Sequence, residues 1–505
     1  MDIRWINKRD FSFGVTALAI AAYAICAYFS VGYFHADEQF QIIEFAHYKI
    51  GGVPASGLAW EFNEAIRSSF QPWIVFLLAK ILTITGLYSP FLLSFILRIT
   101  TGWLAIYAIG RFVKANRRQI ADKYQLLFLL LSYFLWFLPF VNVRFSSESL
   151  SGIFFLLALA LASTTMRGKA DWFKLGMLCG LSFICRFQSA LLVFGLCMWL
   201  ILIRRSLFNS LLFWGMGCCL IIVLEVVLDR LFYGVWIFAP WNYFNVNIIK
   251  GVSSHFGSMS WYLYMLIVAA YLAVPIGLLV FAGFLSLMLN YPKSNIVWSV
   301  LPFLILHLIV PHKEVRFLFP IVNLLPIIIV LGIQGIEKSF AGFQVGRWRK
   351  YVLVFSCLLF LVNLLGLMAV LFGSPAYGRI AIVKYLHDNY SDKTCKVYSL
   401  DEPDANPYVP LPPLNQSFYM EKNVKPVLLA DYNNLESDLK KSKDTVQFLV
   451  IRKYELSVRG FAARLHRLGL RPVFQGNPSW IMWLKNRWLL RRRESGYILY
   501  KMQPD

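Results

Sequence analysis

The first polar group to follow an apolar run is His35-Ala36-Asp37-Glu38-Gln39-Phe40-Gln41. Two adjacent carboxylates beside an imidazole at the edge of a bilayer suit a general base or a cation ligand, because partial desolvation raises a carboxylate pKa toward working pH. The plainer reading of these local residues is a solvated loop that caps the helix after it. Further along come Trp60-Glu61-Phe62, Arg67-Ser68 and Gln71-Pro72, polar groups beside an interfacial apolar piece, as in a loop folded back over a site. Trp60 and Trp73 taken alone read as interfacial anchors. Three further groups are Arg144-Phe145-Ser146-Ser147-Glu148, Trp241-Asn242-Tyr243-Phe244-Asn245 with His255-Phe256-Gly257, and His312-Lys313-Glu314-Val315-Arg316-Phe317. The last gathers His312, Lys313 and Arg316 on a short loop, so a local anion is expected there. A lipid phosphate is such an anion, and Arg and Lys are the groups that bind it. Lipid-headgroup anchoring is the plainer account of the same charges.

The elements that must position these residues are membrane helices. Of the 505 residues 58% are hydrophobic and 15% charged, far below the roughly 25% charged of soluble chains, which excludes a soluble globular, disordered or fibrous protein. Mean hydropathy is +0.59. The net charge of +22, from 49 Lys and Arg against 27 Asp and Glu, is first a topology signal rather than a nucleic-acid one. After the basic start with Arg4, Lys8 and Arg9, residues 11–33 read as a retained first helix leading outward. Residues 34–90 then form a large first outer loop, in which 71–88 is a juxtamembrane or re-entrant piece.

Further spans read at 91–112, 124–141, 150–165, 173–187, 188–203, 207–228, 262–289, 296–310, 317–334 and 351–373. Run 173–203, broken by Arg186, reads equally as one tilted helix or a tight pair. About eleven spans keep Arg117, Arg118, Arg167, Lys169, Arg204, Arg205, Lys293, Lys338 and Arg347 on the inner side, and all the polar groups above on the outer. Arg98 and Arg186 lie within apolar runs and should pair inside the bundle. The chain thus divides into a transmembrane domain, 1–373, and an extracytoplasmic tail, 374–505. The tail holds a Pro-rich stretch (Pro403–Pro413), strand patterns at Val446–Ile451 and Tyr497–Tyr500, and helical spacing at Arg459–Leu468, the pattern of a small α/β domain. Trp480–Arg493 reads either as an amphipathic segment on the membrane surface or as ordinary core. Seven of the eight cysteines sit in apolar runs, so no disulfide framework is expected.

No P-loop, dinucleotide fingerprint, C-x-x-C or H-E-x-x-H occurs, so nucleotide donors and zinc sites lack support. Any substrate must be met in the membrane or on its outer face.

In this order the polar groups resemble the lipid-linked mannosyltransferases of the GPI-anchor and N-glycan precursor pathways, glycosyltransferase family 22, with the GT-C fold. The matching elements are His35-Ala36-Asp37-Glu38 with Phe40-Gln41 and Glu44, then Ala59-Trp60-Glu61-Phe62 with Arg67-Ser68, then Phe232-Tyr233-Gly234 with Pro240, Asn242-Tyr243-Phe244 and Asn245. His312-Lys313-Glu314-Val315-Arg316-Phe317 with Pro320 completes the set. Ala36 stands where the family usually carries Pro. The resemblance implies sugar transfer, usually of mannose, from a polyprenyl or dolichyl phosphate donor to a glycan or glycolipid acceptor on the extracytoplasmic face, with no nucleotide sugar, cofactor or metal.

Joined to the local chemistry, it makes Asp37 the general base, supported by Glu38. His312, Lys313 and Arg316, with Arg67, become the cations for the leaving phosphate, and His35, Gln41, Trp60, Glu61, Asn242, Asn245 and His255 contact donor or acceptor. Two alternatives stand beside this one: a lipid or solute transporter or flippase, and a GT-C enzyme using another sugar or acceptor. A transporter spreads its polar residues toward the bilayer midplane, whereas here they gather in outer loops. The expected partners are the lipid-linked donor, the acceptor and the bilayer, with no nucleic acid. The compartment is the bacterial inner membrane with the site facing the periplasm; sequons at Asn389 and Asn415 keep the endoplasmic reticulum, with a lumenal site, as the alternative.

Overall fold

The computed structural model describes residues 8–339, 349–402, 405–409, 417–432, 435–440, 445–488 and 496–503. Arg4, Arg347, residues 403–404 and 410–413 of the Pro-rich stretch, Asn415, and residues 489–493 of the Trp-rich segment lie outside them. The chain forms two compact units. One comprises Met1–Cys26, Glu64–Trp73 and Leu97–Leu371; the other comprises Ala27–Asn63, Ile74–Ile96 and Phe372–Asp505.

The first unit is a helix bundle, and proline decides where its apolar runs break. Residues 124–141, expected as one span, form helices Asp122–Phe134 and Leu138–Val143. Residues 262–289, also expected as continuous, form Trp261–Tyr271 and Val274–Asn290. A proline ring clashes with the carbonyl four residues earlier and offers no N–H. Pro139 points to Leu135 and Pro275 to Tyr271, which are the places where the two helices stop. At the second break Ala273 adopts φ 66°, and a Cβ built on Gly277 would stand 2.7 Å from Ala269 Cα, so the chain folds sharply back on itself. Run 173–203 is two helices, Lys169–Cys185 and Ala190–Leu202, parted at Arg186 and a 3-10 turn, Phe187–Ser189.

Among the described residues four helical segments are long and apolar enough to cross a membrane: Pro90–Gln119, Phe208–Tyr233, Val315–Ser339 and Lys350–Phe372. Seven shorter apolar helices accompany them, including Phe13–Phe29, Phe70–Ile84 and Ser147–Ala162. Leu212, Val223, Leu224 and Leu231 on Phe208–Tyr233, and Leu353, Phe355, Phe360 and Leu361 on Lys350–Phe372, are exposed, as a lipid-facing surface requires. Where helices meet, small residues let backbones touch: a Cβ on Gly176 would lie 1.9 Å from Trp214 O.

The second unit contains a five-stranded sheet of order β2-β1-β3-β5-β4. Its strands are β1 Cys395–Leu400, β2 Val424–Leu429, β3 Val446–Arg452, β4 Leu470–Gln475 and β5 Tyr497–Met502. β1 runs parallel to β2 and β3, with Cys395 opposite both Val424 and Val446; β5 is antiparallel to β3 and β4. β3 is apolar from Phe448 to Ile451 because it is central and buried on both faces. Leu449 and Ile451 pack with Leu465 of helix Phe461–Arg467 and with Leu470. Within helix Ser479–Trp488, Ile481 and Met482 are buried while Trp480 and Trp483 are exposed. Cys395, expected in a polar stretch, is buried at the head of β1, and all eight cysteines are free thiols.

Candidate functional site

The candidate residues fall into both units, and each set is organised by a buried carboxylate. In the bundle, helix Asn295–Ile309 ends at Val310, and the chain runs through His312–Glu314 into a 3-10 segment, Val315–Leu324. Arg316 donates from Nε to Glu314 Oε2 at 2.7 Å and from Nη2 to Glu314 Oε1 at 3.0 Å. Its Nη1 donates to Glu148 Oε1 at 3.2 Å, the same oxygen that Arg186 Nη1 approaches at 3.2 Å. Both guanidiniums lie 5.2 Å from the centre of the Phe317 ring. His312 Nε2 lies 3.0 Å from Glu314 Oε1, and its Nδ1 3.2 Å from Gly257 O. The expectation that Arg186 pairs inside the bundle is met by Glu148, and Arg98 is buried.

Lys313 differs from its neighbours. It is 8% exposed, its ammonium donates to Val310 O, and among the described residues no carboxylate lies within ion-pair distance of it. Burial holds its pKa below the usual lysine range. A desolvated cation without a counter-charge is costly unless an anion arrives.

Arg67 belongs to the same unit but to another corner of it. Its guanidinium lies 5.6 Å from the centre of the Tyr243 ring, and its carbonyl accepts from Tyr233 Oη at 2.7 Å. The segment around it is fixed on both sides. Asp229 Oδ1 accepts from Ser69 N at 2.9 Å, Trp73 Nε1 donates to Leu228 O at 3.1 Å, and Asn242 Nδ2 donates to Ala65 O at 3.3 Å. Lys250 Nζ approaches Glu64 at 4.0 Å. Asn242 therefore holds backbone, Asn245 opens a π-helical turn, Asn245–Ile249, and His255 is exposed. Sequence reading passed over Asp229 because it sits inside an apolar helix, Phe208–Tyr233; an acidic residue there was itself the available signal.

In the second unit, His35 caps a single turn, Ala36–Glu38, its Nδ1 accepting from Asp37 N at 3.5 Å and standing 3.9 Å from the Asp37 carboxylate. Glu38 Oε2 accepts from Phe34 N at 3.0 Å, which closes the loop onto itself. A π-helical turn, Gln39–Ile43, follows, buried throughout, then helix Glu44–Ile50. Gln41 Nε2 donates to Glu61 Oε1 at 2.8 Å, so these two candidates hold each other, and Trp60 begins the short helix that carries Glu61. Glu44, 1% exposed, accepts from Gln39 Nε2 at 2.9 Å and from Ser417 N, Ser417 Oγ and Phe418 N, each at 3.0 Å. No group of three or more His, Cys, Asp and Glu able to hold a metal ion occurs among the described residues.

A model of the Alg9-like mannosyltransferase family matches residues 15–400. GPI mannosyltransferase 3 of Candida albicans is 28% identical over 61% of this chain and 60% of its own length. GPI alpha-1,2-mannosyltransferase 3 is 25% identical in Danio rerio, over 62% of this chain and 56% of its own, and 26% identical in Bos taurus, over 69% and 62%. The match thus spans about 60% of the length of these curated relatives. Among solved structures, ArnT from Cupriavidus metallidurans bound to undecaprenyl phosphate superposes with a TM-score of 0.50 over 99% of each chain at 10% identity, a likeness of fold alone.

Proposed function

The chain belongs to the Alg9-like mannosyltransferase family and has the GT-C fold of a membrane protein; from that premise we propose that it moves a mannosyl residue from a polyprenyl (dolichyl-type) phosphate to a glycan or glycolipid acceptor. Transfer takes place on the extracytoplasmic face, which is the periplasm in a bacterial inner membrane and the lumen in the endoplasmic reticulum. Asp37 accepts the proton of the acceptor hydroxyl. The freed oxygen forms its bond to the anomeric carbon in line with the breaking C1–O bond, whose electron pair leaves with the phosphate, so the configuration inverts from β to α.

The leaving group gains one negative charge as that bond breaks: a phosphodiester monoanion becomes a phosphate dianion. Cations strengthen catalysis to the extent that they meet this growing charge. The observation that carries the reading is Lys313, a buried ammonium with no carboxylate at ion-pair distance among the described residues. Arg316 and His312, tied to Glu314, orient the loop and add to its field, and Arg67 is a second cation for the donor. Glu38 shapes the turn that carries Asp37. His35, Gln41, Trp60, Glu61, Asn242, Asn245 and His255 are assigned to donor and acceptor contacts. No metal or nucleotide enters the scheme.

The test is transfer of labelled mannose from polyprenyl-phosphate mannose to candidate glycan acceptors by the purified chain in lipid nanodiscs. Wild type transfers, Asp37→Asn does not, and Lys313→Ala raises the donor KM. Undiminished transfer by folded Asp37→Asn sinks the base assignment; no transfer from any lipid-phosphate sugar sinks the class.

A further inference from the structure

Within the second unit, the segment that carries Asp37 is fixed at both ends by the C-terminal tail. Upstream, Ser374 Oγ donates to Phe29 O at 2.8 Å. Asn477 fixes Ser374 in turn, its Oδ1 accepting from Ser374 N at 2.8 Å and its Nδ2 donating to Ser374 O at 3.0 Å. Three residues past Phe29, Gly32 adopts φ +90° and lies so close to helix Arg379–Tyr390 that an added Cβ would stand 2.7 Å from Ile380 Cβ. Only glycine satisfies both conditions, the left-handed backbone and the missing side chain.

Downstream, Glu44 is the anchor. Its carboxylate receives four neutral donors, three of them from Ser417 and Phe418 of the tail and the fourth from Gln39, two residues after Asp37. Among the described residues no ion pair neutralises Glu44, so three of the four donors that compensate its burial stay only while Ser417 and Phe418 are seated. The ring of Phe418 packs edge-on against His47 at a centroid distance of 5.7 Å, and that of Tyr419 lies tilted against Phe91 at 5.3 Å. Between the anchors lie the Asp37 turn and the buried π-helical turn Gln39–Ile43.

We propose that Glu44, through Ser417 and Phe418, is a positioning residue for Asp37, and that the tail thereby takes part in the transfer step. The inference rests on Asp37 as the base. Glu44 touches no reacting atom in this account. It sets the angle of the turn that presents the base, and a displacement of about 1 Å at a reacting group costs on the order of a hundredfold in rate.

The experiment is a double-mutant cycle on the full chain in nanodiscs, with labelled polyprenyl-phosphate mannose and rates normalised to folded, monodisperse protein. Glu44→Gln is expected to lower kcat by roughly tenfold or more with donor KM unchanged, and Glu44→Asp to recover part of the loss. Ser417→Ala, which removes one donor and leaves two backbone N–H groups, is expected to lower kcat by about fivefold and serves if Glu44→Gln does not fold. Adding Glu44→Gln to Asp37→Glu, which keeps a carboxylate base but displaces it, should cost less than the product of the two single losses, because both act on the same proton transfer. A kcat for both Glu44→Gln and Ser417→Ala within twofold of wild type, with Asp37→Asn inactive, overturns this proposal alone. Full multiplicative loss in the double variant also overturns it, since Glu44 would then act independently of Asp37. An active Asp37→Asn overturns the base assignment and this proposal with it.

Discussion

Glu148 in the bundle and Glu44 in the second unit are both buried carboxylates, 4% and 1% exposed, yet they are compensated in opposite ways. Glu148 is met by two guanidiniums, from Arg186 and Arg316. Glu44 is met by neutral N–H and O–H donors of Gln39, Ser417 and Phe418. The difference fits the proposed function. A bundle that met a lipid phosphate would need cations at its rim, and every buried cation not reserved for the substrate would need a resident carboxylate. In the second unit a resident cation beside Glu44 would stand six residues past the turn that carries the proposed base. Compensation by dipoles keeps the field near that turn free of mobile counter-charge.

The comparison breaks at Glu148 first. Glu148→Gln leaves Arg186 buried without this carboxylate and takes from Arg316 one of the two carboxylates it meets, which is expected to cost about 3–5 kcal/mol in thermal unfolding of the detergent-solubilised chain. The double variant Glu148→Gln with Arg186→Met should recover part of that loss, because the uncompensated charge goes with the side chain. If the single variant is as stable as wild type, the ionic account of the bundle cluster is wrong. Glu44→Gln should cost less, about 1–3 kcal/mol, since it leaves unsatisfied neutral donors rather than an unpaired charge. A loss equal to or above that of Glu148→Gln would remove the contrast.

A third test sharpens it through pH. Burial lowers the Lys313 pKa, so its charged form is present below that depressed value and is lost as pH rises through it, before the ordinary lysine range is reached. Donor KM should therefore climb by roughly tenfold on the alkaline side in wild type. Lys313→Arg, charged at every accessible pH, should flatten the climb. Glu44→Gln should leave it in place, because Glu44 belongs to the acceptor-side proton transfer. The smallest expected effect is Ser417→Ala, about 0.5–1.5 kcal/mol in the same unfolding measurement, the value of one hydrogen bond.

Much of the architecture was legible in the chain. The apolar runs and their flanking charges marked the helices, and the short apolar stretch in Val446–Ile451 marked the strand that became β3. The breaks at Tyr271 and Leu135 were legible too, in Pro275 and Pro139, although reading the runs by hydropathy alone merged them. His35 to Glu38 was marked by its position at the end of an apolar run. Asp229 was overlooked because hydropathy averages a single carboxylate away. Lys313 and Arg316 were grouped by adjacency, but only the fold separates an arginine held by Glu314 and Glu148 from a lysine held by a backbone carbonyl.

By itself, then, the sequence determined the class of molecule, the families of elements and the residue types able to move a proton or meet a phosphate. Those properties are local: they rest on composition, on hydrophobic period and on the fixed φ of proline. The tertiary structure decided which charges are already spoken for. Glu148 meets Arg316 across 168 residues and Glu44 meets Phe418 across 374, separations at which no spacing rule operates. Such pairings are set by burial, because a carboxylate drawn out of water must find its donors wherever the packed chain brings them.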